Sequence, residues 1–475
     1  MIDCNFALKM KIKKQLFKNP ILWAFLVSFV YWIYLVLTSH MDMSCDAIGY
    51  EYLGKMLTQQ GWIKFFKAGL QREPFYPALI AFSMGLEKIS GISYQFIQIV
   101  IQLLILLLTQ ILALRILRIL KINDLLSALM ILYLGISPAI VNSALSLFSE
   151  IIVYPFILAI VLLMHQSWIS FSGPKIRIVV LAIASGLTLV LMTLSRGIFE
   201  FIAPVFVGVF FLSTLSTRNW RFILNALRYF IIVLIVFYAL ISGYKLTNKV
   251  LNGRFMVTGR GAHMLYGSAA RRAEPLTRER FLTALAYIPG EGVCNAIFGK
   301  EKCFFWSPGK LDEFAYTKAG ELHARSLRPE EIDRETLRAA FKIILQKPGQ
   351  FVLLWFEEGL KMIFWESTQI GFVSYSAGLT KLFCWSPLKN GLRLLMAILT
   401  FAALIYLVSF LLRERKNLFV PHENIKILLF LSVLLVLLLS STQALFIIVG
   451  RYALPVVPLY LVIMAYALQK ICFRV

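Results

Sequence analysis

Long apolar stretches separated by short, mostly basic loops dominate this chain. Runs of spanning length lie near Pro20–Leu37, Tyr94–Leu114, Leu125–Ala144, Ile151–His165, Ile176–Leu194, Ile198–Leu215, Phe222–Ser242, Leu392–Leu412, Ile425–Leu445 and Tyr452–Gln469. A bilayer core is crossed by about 20 apolar residues in helical form. The pattern therefore predicts an all-α polytopic membrane protein with about ten transmembrane helices. Two further stretches read differently. Pro74–Ser90 falls just short of spanning length and reads as a re-entrant or interfacial helix. Phe351–Trp365 carries Glu357, Glu358 and Lys361, which are costly at the bilayer centre and suit an amphipathic helix (351–366) lying on the surface.

Flanking charge orients the spans. Lys9, Lys11, Lys13, Lys14 and Lys18 precede the first run, and Thr38-Ser39-His40 makes a poor cleavage site, so the start reads as an uncleaved signal anchor with its amino terminus inside. Alternation then puts Arg115/Arg118/Lys121, Lys175/Arg177, Arg218/Arg221, Arg413/Arg415/Lys416 and the tail Lys470/Arg474 on that same side. Both termini are expected in the cytoplasm. The chain divides into an amino-terminal transmembrane module (1–243) with a first outer loop (39–93), an outer-face region (244–390), and a carboxy-terminal three-helix module (391–475). Within the outer region the clearest helix starts near Leu327. Pro329 suits its first position, Glu330 and Glu331 complement its dipole, and Ile332, Leu337, Phe341, Ile344 and Leu345 form its stripe. Lys347-Pro348-Gly349 ends it.

Composition agrees. Of 475 residues, 59% are apolar and only 15% charged, and the mean hydropathy is +0.76, well beyond a soluble domain. That excludes nucleic-acid enzymes and disordered chains. The formal net charge of +23 fits cytoplasmic loops and contact with anionic membrane lipids rather than nucleic acid. Six cysteines make no disulfide scaffold and no pair has metal-ligand spacing. Cys294 and Cys303 share the outer region and could be bridged in an oxidising compartment. No Asn-x-Ser/Thr sequon occurs, which is compatible with a bacterial inner membrane.

Candidate chemistry gathers on the outer face. Asp42, Asp46 and Tyr50 follow the first span and would share one face of a helix; Asp46 is the candidate general base. Arg72-Glu73-Pro74-Phe75-Tyr76-Pro77 opens the short apolar helix, Ser149-Glu150 and Ser195-Arg196 sit at outer span ends, and Gly450-Arg451-Tyr452 opens the last span. Taken singly, each is an ordinary snorkelling or helix-end charge. Their convergence on one membrane face is what points to a site. A divalent ion shared by Asp42, Asp46 and Glu51 stays open, although their spacing matches no ligand motif. No cofactor is assigned. His40 and His263 have no partner motif.

These elements resemble integral-membrane glycosyltransferases of the GT-C type, in particular the bacterial branch related to protein O-mannosyltransferases and the aminoarabinose transferases of lipid A. The carriers are Asp46, Arg72-Glu73-Pro74-Phe75-Tyr76-Pro77, Ser149-Glu150 and Arg451-Tyr452-Ala-Leu-Pro455-Val-Val-Pro458, together spread over nearly the whole chain. The resemblance implies transfer of a sugar from a polyprenyl phosphate, such as undecaprenyl phosphate, to a glycan, lipid or protein acceptor, with Asp46 as catalytic base. This chain departs from the pattern at Glu73-Pro74, where relatives often pair prolines, and at Glu150, where they carry Asp. The role of Glu150 and the use of a metal therefore stay open.

Chemistry supports the same reading independently. A lipid phosphate is already a good leaving group, so the reaction needs one base and cations for the departing phosphate. Arg72, Arg196, Arg451 and Arg260 are the candidate phosphate ligands, and Glu73, Tyr76, Glu150 and Tyr452 the candidates for orienting sugar or acceptor. A single displacement inverts the anomeric centre, unlike a two-carboxylate retaining mechanism. Two alternatives stand beside it. A lipid-linked glycan polymerase or ligase would place its essential residues in the late loop, and a transporter would show ionisable groups or broken helices near the midplane.

Overall fold

The computed structural model describes residues 19–69, 72–367, 372–415, 418–420, 424–448 and 450–472. The basic residues Lys9 to Lys18, Lys416 and Arg474 lie outside them. Helices α1 (Pro20–Thr38), α4 (Tyr94–Ile119), α7 (Glu150–Ser170), α8 (Lys175–Ser195), α9 (Phe199–Thr214), α10 (Trp220–Asn252), α19 (Ser386–Arg413), α20 (Asn424–Ala444) and α21 (Val457–Cys472) carry the long apolar runs. Among the described residues nine helices are long and apolar enough to cross a membrane, the last counted from Arg451, and a bent pair makes up to ten. The architecture is that of an all-α polytopic membrane protein.

The tenth run, expected as one span over Leu125–Ala144, is that bent pair: α5 (Asp124–Ile136) and α6 (Pro138–Leu145) meet at 45°. Pro138 has no N–H to continue the ladder of α5 and instead starts α6, with the Ser137 hydroxyl accepting from Ile140 N. Carbonyls of α5 near the break also take side-chain donors. Trp32 Nε1 donates to Gly135 O at 2.8 Å and Gln110 Nε2 to Ile131 O at 2.9 Å. Glu366 closes the other side, accepting from Tyr133 Oη at 2.5 Å, Ser137 Oγ at 2.8 Å and Ala139 N at 3.2 Å. A carboxylate at the start of α6 also complements that helix's dipole.

α7 and α21 form the buried centre, with residues such as Tyr154, Leu158, Leu459 and Ile463 almost fully enclosed. α1 and α10 lie at the periphery, exposing Phe29, Val30, Ile235 and Leu240, faces suited to lipid rather than water. At one end of the bundle, Gln469 of α21 ties to Lys121 O and Asn123 N beside α4 and α5, both at 2.8 Å.

The loop expected at 39–93 holds two helices, α2 (Asp46–Lys67) and α3 (Phe75–Ser90). α2 breaks at Gly61, whose φ of 75° favours glycine. The crossing of α2 on α3 is close: a Cβ on Gly54 would lie 2.6 Å from Ile80 Cγ2.

The region 244–390 is helical: α11 (Gly261–Ala273), α12 (Arg278–Tyr287), α13 (Glu291–Phe298), α14 (Lys300–Phe304), α15 (Pro308–His323), α16 (Pro329–Gln346), α17 (Pro348–Leu360) and α18 (Ala377–Cys384). α16 begins at Pro329 as read from sequence, but its apolar stripe divides. Ile332 and Ala340 are buried, while Leu337, Phe341 and Leu345 face outward. Cys294 and Cys303 form a disulfide inside a small core with Trp306 and Tyr287. The expected surface charges of the 351–366 segment are instead buried. Glu357, Glu358 and Lys361 pack inward against Arg271 and Arg272 of α11, and the outward face of α17 carries Val352, Leu353 and Phe356. Amphipathicity was read correctly, but the face that points inward is the charged one.

Candidate functional site

A short backbone pairing sets the start of α2. After α1 ends, β1 (His40–Met41) pairs antiparallel with β2 (Val373–Ser374), and Asp42 N donates to Phe372 O at 3.1 Å. Cys45 then takes a φ of 48°, costing about 1 kcal/mol for a side-chain-bearing residue, and turns the chain so that Asp46 is the first residue of α2. The expected face of Asp42, Asp46 and Tyr50 is therefore only partly formed. Asp42 precedes the helix, while Asp46 and Tyr50 share one side at i, i+4 spacing.

The two oxygens of Asp46 each meet a guanidinium. Arg72 Nη2 bonds Oδ1, and Arg451 Nη2 bonds Oδ2 at 2.5 Å. Each arginine rests on aromatic rings. Arg72 lies 5.0 Å over Tyr50, which stands edge-on to Tyr76. Arg451 lies 4.9 Å over Phe148, 5.5 Å over Tyr452 and 5.9 Å over Phe372, contacts that hold a guanidinium in place through ring quadrupoles. The buried Nη1 of Arg451 meets no acceptor of good geometry among the described residues, although Glu150 and Tyr452 lie close enough to act on the guanidinium.

The next layer joins the remaining polar residues. Arg196 Nη1 pairs with Glu150 Oε1 at 2.8 Å, and its guanidinium lies 5.2 Å over the Tyr452 ring, which Arg451 also contacts. Glu73 Oε1 accepts from Gly197 N at 2.7 Å. Glycine is needed there, since a Cβ on Gly197 would sit 2.5 Å from Thr258 Cγ2 and 3.3 Å from that carboxylate. Tyr50 Oη donates to Ser149 Oγ at 3.0 Å, and the fully buried Tyr76 donates to Gln102 Oε1 at 2.5 Å. Gln102 in turn donates to Ala144 O and Ser146 O, two carbonyls where α6 ends.

Charge follows this geometry. Burial pushes the Asp46 carboxyl up, but the charges and hydrogen bonds of Arg451 and Arg72 outweigh it and hold the group below the usual carboxylate range. Burial, reinforced by Glu73 and Glu150 against Arg72, raises the Tyr50 phenol to about 12. Asp312 of α15 is raised by burial; Arg260 opposes the rise and the charge of Asp46 adds to it. Glu51 turns to Lys55 at 2.9 Å and Tyr94 at 2.6 Å.

Of the residues singled out from sequence, Asp46, Arg72, Arg451, Arg196, Glu150, Glu73, Tyr76 and Tyr452 thus lie in one connected cluster. Arg260 is exposed and faces Asp312 rather than bonding Asp46. Among the described residues no three His, Cys, Asp or Glu side chains gather as metal ligands. Sequence reasoning missed Phe148, Phe372 and Asp312. Phe148 directly precedes Ser149-Glu150 and could have been read with them; Phe372 and Asp312 carry no local signal.

It also missed a buried ionic group that fixes the approach to Arg451. Glu358 bonds Arg271 at 3.2 Å and Lys361 at 3.1 Å, and accepts from Ile448 N at 2.8 Å. Arg272 donates to Ala444 O at 2.6 Å, satisfying a carbonyl at the end of α20. The chain entering Arg451 is thereby pinned to α11 and α17. Comparisons with protein-family models and with curated proteins return no match for this chain.

Proposed function

We propose that this chain is an integral-membrane glycosyltransferase that moves a sugar from a polyprenyl-phosphate donor to a glycan, lipid or protein acceptor on the outer face of the plasma membrane. The observation that carries the reading is the carboxylate of Asp46 held between the guanidiniums of Arg72 and Arg451, residues far apart in sequence. A base and two phosphate-binding cations side by side at span ends are what the transfer demands. The carrier tail would lie among apolar helices while its headgroup meets these cations.

In the reaction, the acceptor hydroxyl oxygen forms its bond to the anomeric carbon as the bond from that carbon to the phosphate oxygen breaks. The hydroxyl proton passes to Asp46, and the electron pair of the broken bond leaves with the phosphate, inverting the centre. Arg72 and Arg451 stabilise the departing charge. Arg196 stands one ring away as a third cation. Glu150 and Glu73 are positioning residues, acting through Arg196 and the Gly197 backbone; Tyr76 supports the shelf of Tyr50. Arg260 and Asp312 face the cluster from the 244–390 region and are candidates for acceptor contact.

Sidedness has its own support. The Cys294–Cys303 disulfide belongs to an oxidising compartment, and Arg413 and the loops at Arg115–Lys121 and Lys175–Arg177 lie at the helix ends opposite those that carry Asp46, Glu150 and Arg196. The test is a mass-spectrometric comparison of lipid-linked sugars and envelope glycans in cells with the protein intact or deleted. One polyprenyl-phosphate sugar should accumulate on deletion and one glycan decoration should disappear. An unchanged profile in cells that express the protein contradicts the reading.

A further inference from the structure

Asp46 cannot serve as an effective base in the arrangement just described. Both of its oxygens are occupied by guanidiniums, one from each side, and a carboxylate so paired holds protons poorly. Yet the cations that quiet it are those a phosphate would take. Arg451 is held at only one nitrogen by Asp46: its Nη2 pairs with the carboxylate, while its buried Nη1 meets no acceptor of good geometry among the described residues and Glu150 and Tyr452 act on the guanidinium. The rings beneath Arg72 and Arg451 hold each guanidinium near its place.

Resting on the glycosyltransferase reading, we propose that the donor phosphate and Asp46 compete for the guanidiniums of Arg72 and Arg451, so that donor binding itself releases the base. The empty enzyme is thereby kept from abstracting protons, and the base becomes competent only when a leaving group is in place. The other charged groups near Asp46 do not replace its partners. Glu73 is committed to Gly197 N and Glu150 to Arg196. Asp312 of α15, with Arg260 beside it, adds a negative charge facing Asp46. Once its arginines turn to phosphate, Asp46 loses both pairing cations while still facing Asp312, and gains proton affinity. Linkage makes the effect reciprocal: the ionised carboxylate must weaken phosphate binding.

The experiment measures binding to the full-length protein in nanodiscs, with undecaprenyl phosphate, undecaprenol and inorganic phosphate as separate probes. Asp46→Asn should bind undecaprenyl phosphate more tightly than the native protein, on the order of tenfold, while Arg451→Gln should bind it more weakly. Undecaprenol should be insensitive to both. Equal or weaker binding by Asp46→Asn, with Arg451→Gln still impaired, overturns the competition and leaves the glycosyltransferase reading standing. Binding unaffected by Arg451→Gln, or undecaprenol bound as well as its phosphate, contradicts the reading itself. Inorganic phosphate matching the lipid would support the competition and contradict a lipid donor. Should Asp46→Asn fail to fold, the native protein answers through carbodiimide modification at Asp46, followed by peptide mass spectrometry. Undecaprenyl phosphate should accelerate modification relative to undecaprenol, because the reagent consumes the protonated acid; no acceleration overturns the proposal.

Discussion

Glu150 and Arg196 show what a single pair carries here. Both are largely shielded and joined at 2.8 Å, so removing one partner leaves a buried charge uncompensated. Such a loss costs about 3 kcal/mol or more. Glu150→Ala should therefore lower the thermal midpoint in detergent by several degrees, with Glu150→Gln recovering part of it by keeping an acceptor for Arg196. An unchanged midpoint in Glu150→Ala would mean the pair contributes little. At this scale the sequence was informative where charge interrupts an apolar pattern. Asp46, Arg72, Glu150, Arg196 and Arg451 are each ordinary helix-end charges, and only their convergence sets them apart. Phe148 and Phe372 do not stand out among 38 phenylalanines, although both flank the guanidinium of Arg451.

Helix α17 poses the question at the level of an element. Its charged face was legible, but which way that face turns depends on α11, and nothing local to 351–366 announces Arg271 and Arg272 as its cover. Turned inward, Glu357 is buried beside Lys361 and Glu358, and desolvation raises it to about 7 against the attraction of Lys361. A folded-state value above the unfolded one means the folded protein binds that proton more tightly. Stability from this group is present in acid and lost as pH rises through about 7. Thermal unfolding followed from pH 5 to 8 should show this decline in the native protein and a flatter profile in Glu357→Gln; identical profiles would contradict the assignment. The break at Ser137–Pro138 was likewise hidden in one apolar run. Proline alone does not decide it, since Pro155 and Pro204 sit inside helices that continue; the added anchors Trp32, Gln110 and Glu366 come from distant segments.

For the whole molecule, the apolar runs were enough to read nine helices that could cross a membrane among the described residues, or ten counting the bent pair, because a bilayer leaves few ways to satisfy the backbone. They did not give the packing of the 244–390 region, whose small core and disulfide depend on contacts between short helices. Alternation makes a direct prediction from the exposed cysteines Cys45 and Cys472. In single-cysteine variants, a membrane-impermeant thiol reagent added outside should label Cys45 and spare Cys472 until the membrane is opened. The reverse pattern would invert every assignment of side. The account stands most directly on Asp46, and the decisive measurement returns Asp46→Asn to cells lacking the protein and profiles their lipid-linked sugars and envelope glycans by mass spectrometry. A variant that reaches native abundance yet leaves the donor accumulated and the glycan absent is the predicted result; restored glycan at native level would contradict the role of Asp46 as the base.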